Sequence, residues 1–162
     1  MPADLAPSAP PFPLPGALPD WRGTLKAHYL RLGAWSRRLR FLAPLGDAAL
    51  DRLVETTRPD AVIATRIDDR IRGVLELFFG PEGHVEIAIS IEDAYQGRGH
   101  GRRLFEAGLR EARKRGARTA DLYFARDNTG IRRLVERAEG RIVEQDGECE
   151  AFIALDRLPR AA

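Results

Sequence analysis

The sequence predicts an α/β fold in which helices flank a mixed, mostly antiparallel sheet. Three patterns predict it. Apolar residues stand at every second position over residues 85–91, as in a strand with one buried face. Apolar residues recur at helical spacing over residues 102–115. Asp146-Gly147, between two runs in which apolar and polar residues alternate, is typical of a hairpin turn. With 162 residues, 44% of them hydrophobic, the chain suffices for one domain.

The first half of the chain is predicted to contain three helices and then two strands. Helical patterns cover residues 21–31, 34–42 and 48–56, and Asp47 is the expected N-cap of the third helix. After these helices, apolar residues recur at every second position, which predicts strands over residues 60–67 and 70–79 joined by a tight turn at Asp68-Asp69. Gly80-Pro81-Glu82-Gly83 connects to the next strand.

The second half continues the alternation of strands and helices. The helix over residues 102–115 carries a shared apolar face and stops near Gly116; that face comprises Leu104, Phe105, Leu109 and Ala112. A strand over residues 119–124, a helix over 129–137 and strands over 141–145 and 148–155 follow.

The first twenty residues contain seven of the eleven prolines, which indicates an extended tail. No convincing strand is found before Trp21. We therefore expect a tail over residues 1–20, one domain over 21–156 and a short C-terminal tail over 157–162. An alternative for the first segment is an arm that packs on the neighbouring subunit of a homodimer or covers an acceptor groove.

Composition narrows the functional classes. The single cysteine, Cys149, rules out an intramolecular disulfide and gives no basis for a Cys-based metal site; we expect a reducing, cytoplasmic setting and no metal. No apolar run approaches the ~20 residues that cross a bilayer, so no membrane association is expected. The net charge is +2 with alternating signs, which disfavours nucleic-acid binding.

A glycine-rich segment follows the central alternating run and precedes a helix. Gly97, Gly99 and Gly101 allow backbone N–H groups to approach an anion, and the helix start adds the positive end of its dipole. Arg98, Arg102 and Arg103 are expected to add positive charge. The spacing fits neither a dinucleotide-binding fingerprint nor a Walker loop. The segment therefore predicts a phosphate-binding loop of another kind.

In this Q-x-x-G-x-G pattern, in the strand before it and in the later Asn128, the chain resembles the GCN5-related N-acetyltransferase (GNAT) family over residues 22–156. The resemblance implies that the loop holds the pyrophosphate of acetyl-CoA. It implies cofactor contacts at Gln96, Gly97, Arg98, Gly99, His100, Gly101, Arg102 and Arg103. Backbone groups of Ile89, Ser90 and Ile91 would bind the pantetheine amides where the family's central strand splays from its neighbour. Asn128 would bind the cofactor, cap the next helix, or do both.

Glu86 is the candidate catalytic base. It lies on the polar face of the central strand, and an ammonium must lose a proton before it can attack a thioester. The family's protein-lysine acetyltransferases carry a Glu-Ile pair at the corresponding place, as does Glu86-Ile87. The structural alternative is a solvated glutamate or a partner of a nearby arginine. His84, on the same face, is a candidate assistant or an ordinary surface residue.

Many family members place a tyrosine near the departing sulfur, in the helix after the asparagine. Val135 occupies that place and cannot donate a proton. A thiolate with a pKa near ~8.5 can leave unprotonated. We therefore expect an enzyme with one base and no dedicated acid.

Three functions remain open. The first is an acetyl-CoA-dependent N-acetyltransferase whose acceptor is a protein lysine or a small primary amine. The second is a catalytically quiet acyl-CoA-binding sensor, and the third is a module whose arginine-rich helices bind an acidic partner. Residues 36–40 resemble stretches of bacterial lysine acetyltransferases, although an amphipathic surface helix explains them equally well.

Overall fold

The structure, a computed structural model, describes residues 12–14 and 20–158. Its strands are β1 (Phe12–Leu14), β2 (Ala61–Ile67), β3 (Arg70–Phe79), β4 (His84–Ile91), β5 (Thr119–Ala125), β6 (Arg141–Gln145) and β7 (Glu148–Ala154). Its α-helices are α1 (Trp21–Leu30), α2 (Ala34–Phe41), α3 (Asp47–Thr56), α4 (His100–Lys114) and α5 (Thr129–Arg137). No helix in these ranges is long and apolar enough to span a membrane.

The seven strands form one sheet in the order β1-β2-β3-β4-β5-β7-β6. Among the described strands, β4 and β5 alone pair in parallel, because α4 crosses over between them; the remaining neighbours are antiparallel. Both predicted tight turns have the positive φ values of hairpin turns, 50° and 59° at Asp68-Asp69 and 53° and 82° at Asp146-Gly147. The predicted mixed, mostly antiparallel sheet is confirmed.

Helices cover both faces of the sheet. On one face, the alternate apolar residues of β4 pack against α4, through Leu104, Phe105 and Leu109, in the larger core. Gly108 permits this close approach, because a Cβ there would lie 2.5 Å from Leu75 Cδ1 on β3. On the other face, α1 and α3 enclose a smaller core over β2 and β3. The remaining side chains of β4, Glu86 among them, lie on this second face.

Two expectations for the N-terminal third were wrong. A strand does precede Trp21, since Phe12–Leu14 pair antiparallel to β2 with Phe12 opposite Ala64. Residues 12–14 of the predicted tail therefore belong to the sheet. Asp47 is the first helical residue of α3 rather than its N-cap, which is Gly46. The Asp47 carboxylate instead accepts a hydrogen bond from Arg37 Nη1 at 2.7 Å, which ties α3 to α2.

Candidate active site

The parallel ladder between β4 and β5 is short. Within the described residues it comprises three pairs and ends at Glu86 opposite Asp121. Beyond this pair the strands separate, and a cavity of about 280 Å³ lies along the opening. Its walls come from β4, β5, α2, α3 and the first turn of α5; among the lining residues are Leu39, Arg40, Phe41, Leu53, Glu86, Tyr123, Asn128 and Ile131. The opening leaves backbone groups of β4 on this side without a strand partner.

The glycine loop between β4 and α4 has the backbone expected of an anion site. Gly97 and Gly99 have φ values of 72° and 85°, and no atom lies within 4 Å of a Cβ built at either residue. Gly99 is the N-cap of α4, and no side chain caps the helix there. The first helical hydrogen bond runs from Arg103 N to Gly99 O, so the preceding N–H groups have no helical partner. These donors and the helix dipole are available to an anion.

The basic side chains in and after the glycine loop differ in their contacts. Burial, with the charges of Arg103 and Arg98, lowers the pKa of His100, whose buried Nδ1 has no hydrogen-bond partner. The Arg98 guanidinium also lies 6.0 Å from the centre of the Tyr95 ring. Arg102 instead binds Glu106 at 2.9 Å, one turn along α4. Arg98 and Arg103 therefore act electrostatically on His100, and Arg102 is paired with Glu106.

Gln96 has a structural role that the motif alone did not indicate. Its side-chain amide donates to Ile91 O at 2.9 Å and to Ser36 Oγ at 3.1 Å. The residue thus joins the loop to the end of β4 and to α2. Its side-chain amide and the Ile91 carbonyl are accordingly engaged within the protein.

Asn128 caps the helix at the far side of the cavity. Its Oδ1 accepts from Ile131 N at 3.1 Å, so the predicted N-cap is confirmed. Asn128 also lines the cavity, and its Nδ2 group remains a donor. The capping role therefore does not prevent a contact with a bound molecule.

Glu86 is exposed and forms part of the cavity wall. Its position at the last pair of the ladder puts a carboxylate at the point where the strands part. His84, on the same face, hydrogen-bonds through Nδ1 to Asp121 Oδ2 at 2.8 Å. His84 is therefore a partner of Asp121 in this structure.

A buried polar cluster beside the cavity was missed by the sequence analysis. Glu76 on β3 is 2% exposed, and its Oε1 accepts hydrogen bonds from the Tyr29 hydroxyl and, at 2.6 Å, from Arg40 Nη2. A lone acidic residue within the apolar run Val-Leu-Glu-Leu-Phe of β3 was the available signal. Its partners are distant in sequence, so the pattern could not identify them.

A second buried network holds the far end of β4. His28 Nε2 and Ser90 Oγ are 2.9 Å apart, and Arg31 Nε and Arg72 Nη1 donate to the Glu92 carboxylate at 2.5 and 2.8 Å. Burial lowers the pKa of His28, although Glu92 opposes this shift, so the imidazole is neutral at pH 7. The Ser90 side chain is thus engaged by α1. Its backbone lies opposite Val74 in the β3–β4 ladder, so the backbone groups that face the opening are those of Ile89 and Ile91 rather than of Ser90.

The expectation that position 135 lies beside the reacting atoms was wrong. Val135 is 0% exposed and belongs to the larger core, whereas Ile131, one turn earlier, lines the cavity. The tyrosine nearest the site is Tyr123 on β5, which is 53% exposed and also lines the cavity. A hydrogen bond with Glu150 on β7 raises the pKa of Tyr123 to about 12, and the charges of Asp121 and Glu86 add to the effect.

Comparison with solved structures finds the same fold in acetyltransferases. The chain is similar to the GNAT domain of PAT from S. lividans, with a TM-score of 0.72 and 22% identity over 89% of each chain. It is also similar to yncA from Salmonella typhimurium, solved with its cofactor acetyl-CoA (TM-score 0.59, 17% identity, 87% of this chain and 90% of that chain). An acetyltransferase from Bacillus subtilis in complex with CoA has a TM-score of 0.56 and 19% identity, over 75% of this chain and 92% of that chain.

No curated protein matches the chain. The sequence model of the acetyltransferase (GNAT) family matches residues 29–140. This match spans more than half of the chain, which therefore belongs to the acetyltransferase (GNAT) family.

Proposed function

We propose that the protein transfers an acetyl group from acetyl-CoA directly to a primary amine, with Glu86 as the general base. The observation that carries the proposal is the cavity in the β4–β5 opening, which has an exposed carboxylate on its wall. Structural neighbours solved with CoA and acetyl-CoA support the choice of donor.

In this proposal, acetyl-CoA binds with its pyrophosphate at the N–H groups of the glycine loop. The pantetheine arm enters the opening, where backbone groups of Ile89, the Ile91 N–H and the Asn128 amide supply hydrogen bonds. The loop fits a phosphate group, because Gly97 and Gly99 leave open space above the backbone and α4 starts uncapped.

The reaction requires one proton transfer before the carbonyl is attacked. Glu86 takes a proton from the acceptor ammonium, and the freed lone pair attacks the thioester carbonyl. A C–N bond forms and the C–S bond breaks, and the nitrogen loses its second proton to solvent as the CoA thiolate departs, which gives the N-acetyl amide. The proton on Glu86 returns to solvent. Water protonates the thiolate, so no dedicated acid is needed.

The cavity also limits the acceptor. Its wall on the α2 and α3 side carries the apolar side chains of Leu39, Phe41 and Leu53, together with Arg40, which is paired with Glu76. Glu86 provides a negative charge on the strand side. This combination suits an ammonium group on an aliphatic chain, such as a protein lysine or a small alkylamine. A protein lysine and a small alkylamine present the same ammonium group to the cavity, and an assay with a panel of both kinds of acceptor distinguishes them.

The test is acetyl-CoA consumption with a panel of amines and lysine peptides. We expect CoA release that depends on an acceptor, together with a product heavier by one acetyl group in mass spectrometry. Binding of acetyl-CoA without turnover on any acceptor would contradict the proposal and support the sensor function instead.

A further inference from the structure

A second cavity lies between α4 and α5, on the face of the sheet opposite Glu86. Its volume is about 350 Å³. Its walls come from α4, from the C-terminal half of α5 with the capping residue Ala138, and from Leu158 after β7. Among the described residues, none lines both this interhelix cavity and the cavity at the β4–β5 opening. The proposed reaction therefore makes no use of it.

The floor of the interhelix cavity is apolar. Phe105 and Leu109 lie one turn apart on α4, and Leu134 and Ala138 lie one turn apart along α5, so each helix presents an apolar strip. Leu158 adds a fifth apolar side chain. Leu134, Ala138 and Leu158 are half-buried, so part of this apolar surface is accessible to a ligand.

The rim of the interhelix cavity is basic. Four arginines and one glutamate complete the wall: Arg102, Arg110, Arg113, Arg137 and Glu106. Arg102 is paired with Glu106 at 2.9 Å, and Arg113 Nη1 donates to a backbone carbonyl, which leaves its charge uncompensated. Arg110 and Arg137 are exposed and have no hydrogen bond or ion pair within the part of the chain that the structure describes. Each of the two helices thus contributes a free guanidinium group.

This charge gives the interhelix cavity a preference opposite to that of the first cavity. Glu86 lines the first cavity and suits an ammonium group. The arginines of the interhelix cavity repel an ammonium group and favour a carboxylate, which accepts two parallel hydrogen bonds from a guanidinium group. An apolar floor with a basic rim therefore selects an anion that has an apolar body.

The size of the interhelix cavity favours a small molecule over a partner helix. The apolar strip of each helix comprises two residues four positions apart, about 6 Å of helix axis. A docked helix uses anchors at i, i+3, i+4 and i+7, which extend over about 10 Å. The volume of about 350 Å³ lies within the range of roughly 300–1,000 Å³ that is usual for small-molecule sites.

We propose that the interhelix cavity is a binding site for a small amphipathic carboxylate. The apolar body of the ligand, an alkyl chain or a ring, lies on the floor between the two helices. Its carboxylate accepts hydrogen bonds from Arg110 and Arg137 at the rim. This site is separate from the site of acetyl transfer, and the proposal does not depend on the role of Glu86.

The test uses octanoate as the probe and octan-1-ol as its uncharged counterpart, added to the full chain with ¹³C-labelled leucine and alanine methyl groups. We expect octanoate to cause saturable NMR shifts of the methyl groups of Leu134, Ala138 and Leu158. The methyl groups of Leu39 and Leu42, which line the first cavity, should not shift. Octanoate should bind more tightly than octan-1-ol, and this difference should decrease as salt screens the charges.

Variants at the rim and on the floor locate the ligand. Arg110→Met and Arg137→Met should each weaken octanoate binding by about three- to tenfold, the usual contribution of one hydrogen bond, and should leave octan-1-ol binding unchanged. Arg133→Met is the matched control, because Arg133 is exposed on α5 and does not line the cavity. Ala138→Phe should block both probes, since the ring fills the space over the floor. Both rim arginines are exposed, so the result does not depend on the stability of the floor variant.

Several outcomes would overturn the proposal. Octanoate shifts that do not saturate, or that occur only at Leu39 and Leu42, would show that the interhelix cavity does not bind the probe. Equal affinity for octanoate and octan-1-ol, or an unchanged affinity when Arg110 and Arg137 are both replaced, would remove the basis for an anionic ligand. A dimer in sedimentation that Ala138→Phe disrupts, without octanoate binding, would assign the cavity to a second copy of the chain. None of these measurements involves acetyl transfer, so failure here leaves the proposed function untouched.

Discussion

Glu86 on β4 and Asp121 on β5 form the last pair of the parallel ladder, and the strands separate immediately beyond them. Two carboxylates on neighbouring strands of one face repel each other when both are ionised. His84 relieves part of this repulsion through its 2.8 Å hydrogen bond with Asp121. Glu86 is thus left as the carboxylate directed to the cavity, and its role can be tested directly.

Glu86→Gln is expected to lower acetyl transfer by about 10²-fold or more at neutral pH, the usual loss for a missing general base. The defect should shrink as the pH rises, because more of the acceptor is already deprotonated. Acetyl-CoA affinity should change little. The measurement is kcat/KM across pH, with Glu82→Gln, an exposed carboxylate in the preceding turn, as control. Unchanged turnover at both low and high pH would make Glu86 an ordinary surface residue.

Gly99→Glu is expected to abolish acetyl-CoA binding, since it adds a side chain and a negative charge to the anion site. Its positive φ also makes the substitution destabilising by about 1–2 kcal/mol. Gly116→Glu is the matched control, because Gly116 has a φ of 93° and open space but lies after the other end of α4. Calorimetry should find binding lost only at position 99. Wild-type affinity in folded Gly99→Glu would refute the loop assignment.

Tyr123→Phe is expected to lower kcat/KM by less than about tenfold, as for a site without a dedicated acid. With a pKa of about 12, Tyr123 keeps its proton throughout the usual assay range, so it should produce no falling alkaline limb there. The pH profiles of wild type and variant should therefore be parallel. A loss near 10²-fold, or an alkaline limb that disappears in the variant, would identify Tyr123 as the acid.

Val135→Tyr is expected to destabilise the protein by about 1–3 kcal/mol or more rather than to supply an acid, because the larger ring overfills a closed core. Val143→Tyr is the control, since Val143 is 43% exposed on β6. Thermal unfolding should show a lower Tm for the first variant only. An equally stable and faster Val135→Tyr enzyme would contradict the buried position of this side chain.

Glu92→Gln is expected to cost on the order of 2 kcal/mol at pH 7. Burial favours the neutral form of Glu92, but the hydrogen bonds from Arg31 and Arg72, with the His28 ring 3.8 Å away, outweigh it and lower the pKa to about 2. The stabilisation is therefore present above the unfolded value near 4.5 and is lost as the pH falls toward 2. Urea unfolding at several pH values should show the difference from wild type narrowing on acidification. The control is Glu106→Gln, in an exposed pair with Arg102; a pH-independent difference at Glu92 would contradict the assignment.

Most of the fold could be predicted, because the spacing of apolar residues and the residue types at tight turns are visible within short stretches of sequence. The strand ends of β3 and β6 and both ends of α5 lie where the patterns put them. β1 escaped prediction because three residues in a proline-rich segment are too few for a period, and their pairing with β2 is a long-range contact. Asp47 was misassigned by one position because Gly46 and Asp47 are both suitable residues at a helix start.

The parts of the site that belong to a local sequence motif could be predicted. The parts that depend on contacts between residues distant in sequence could not. The glycine loop and Asn128 have recognisable local chemistry, and both lie beside the opening or at its end. Glu76 and Arg40 are 36 residues apart, and only the packing of α2 on the sheet brings them together. Helical spacing likewise could not reveal that Val135 points into the core while Ile131 lines the cavity.

The short strand β1 has a consequence for how copies of the protein behave toward each other. Without it, β2 would be an edge strand whose first five residues are buried and largely apolar, a surface that favours strand-to-strand aggregation. β1 covers part of that edge, and Pro13 within it lacks the N–H group that a further strand would need. β1 thus ends the described sheet on this side, at a strand whose central residue cannot donate to a further copy.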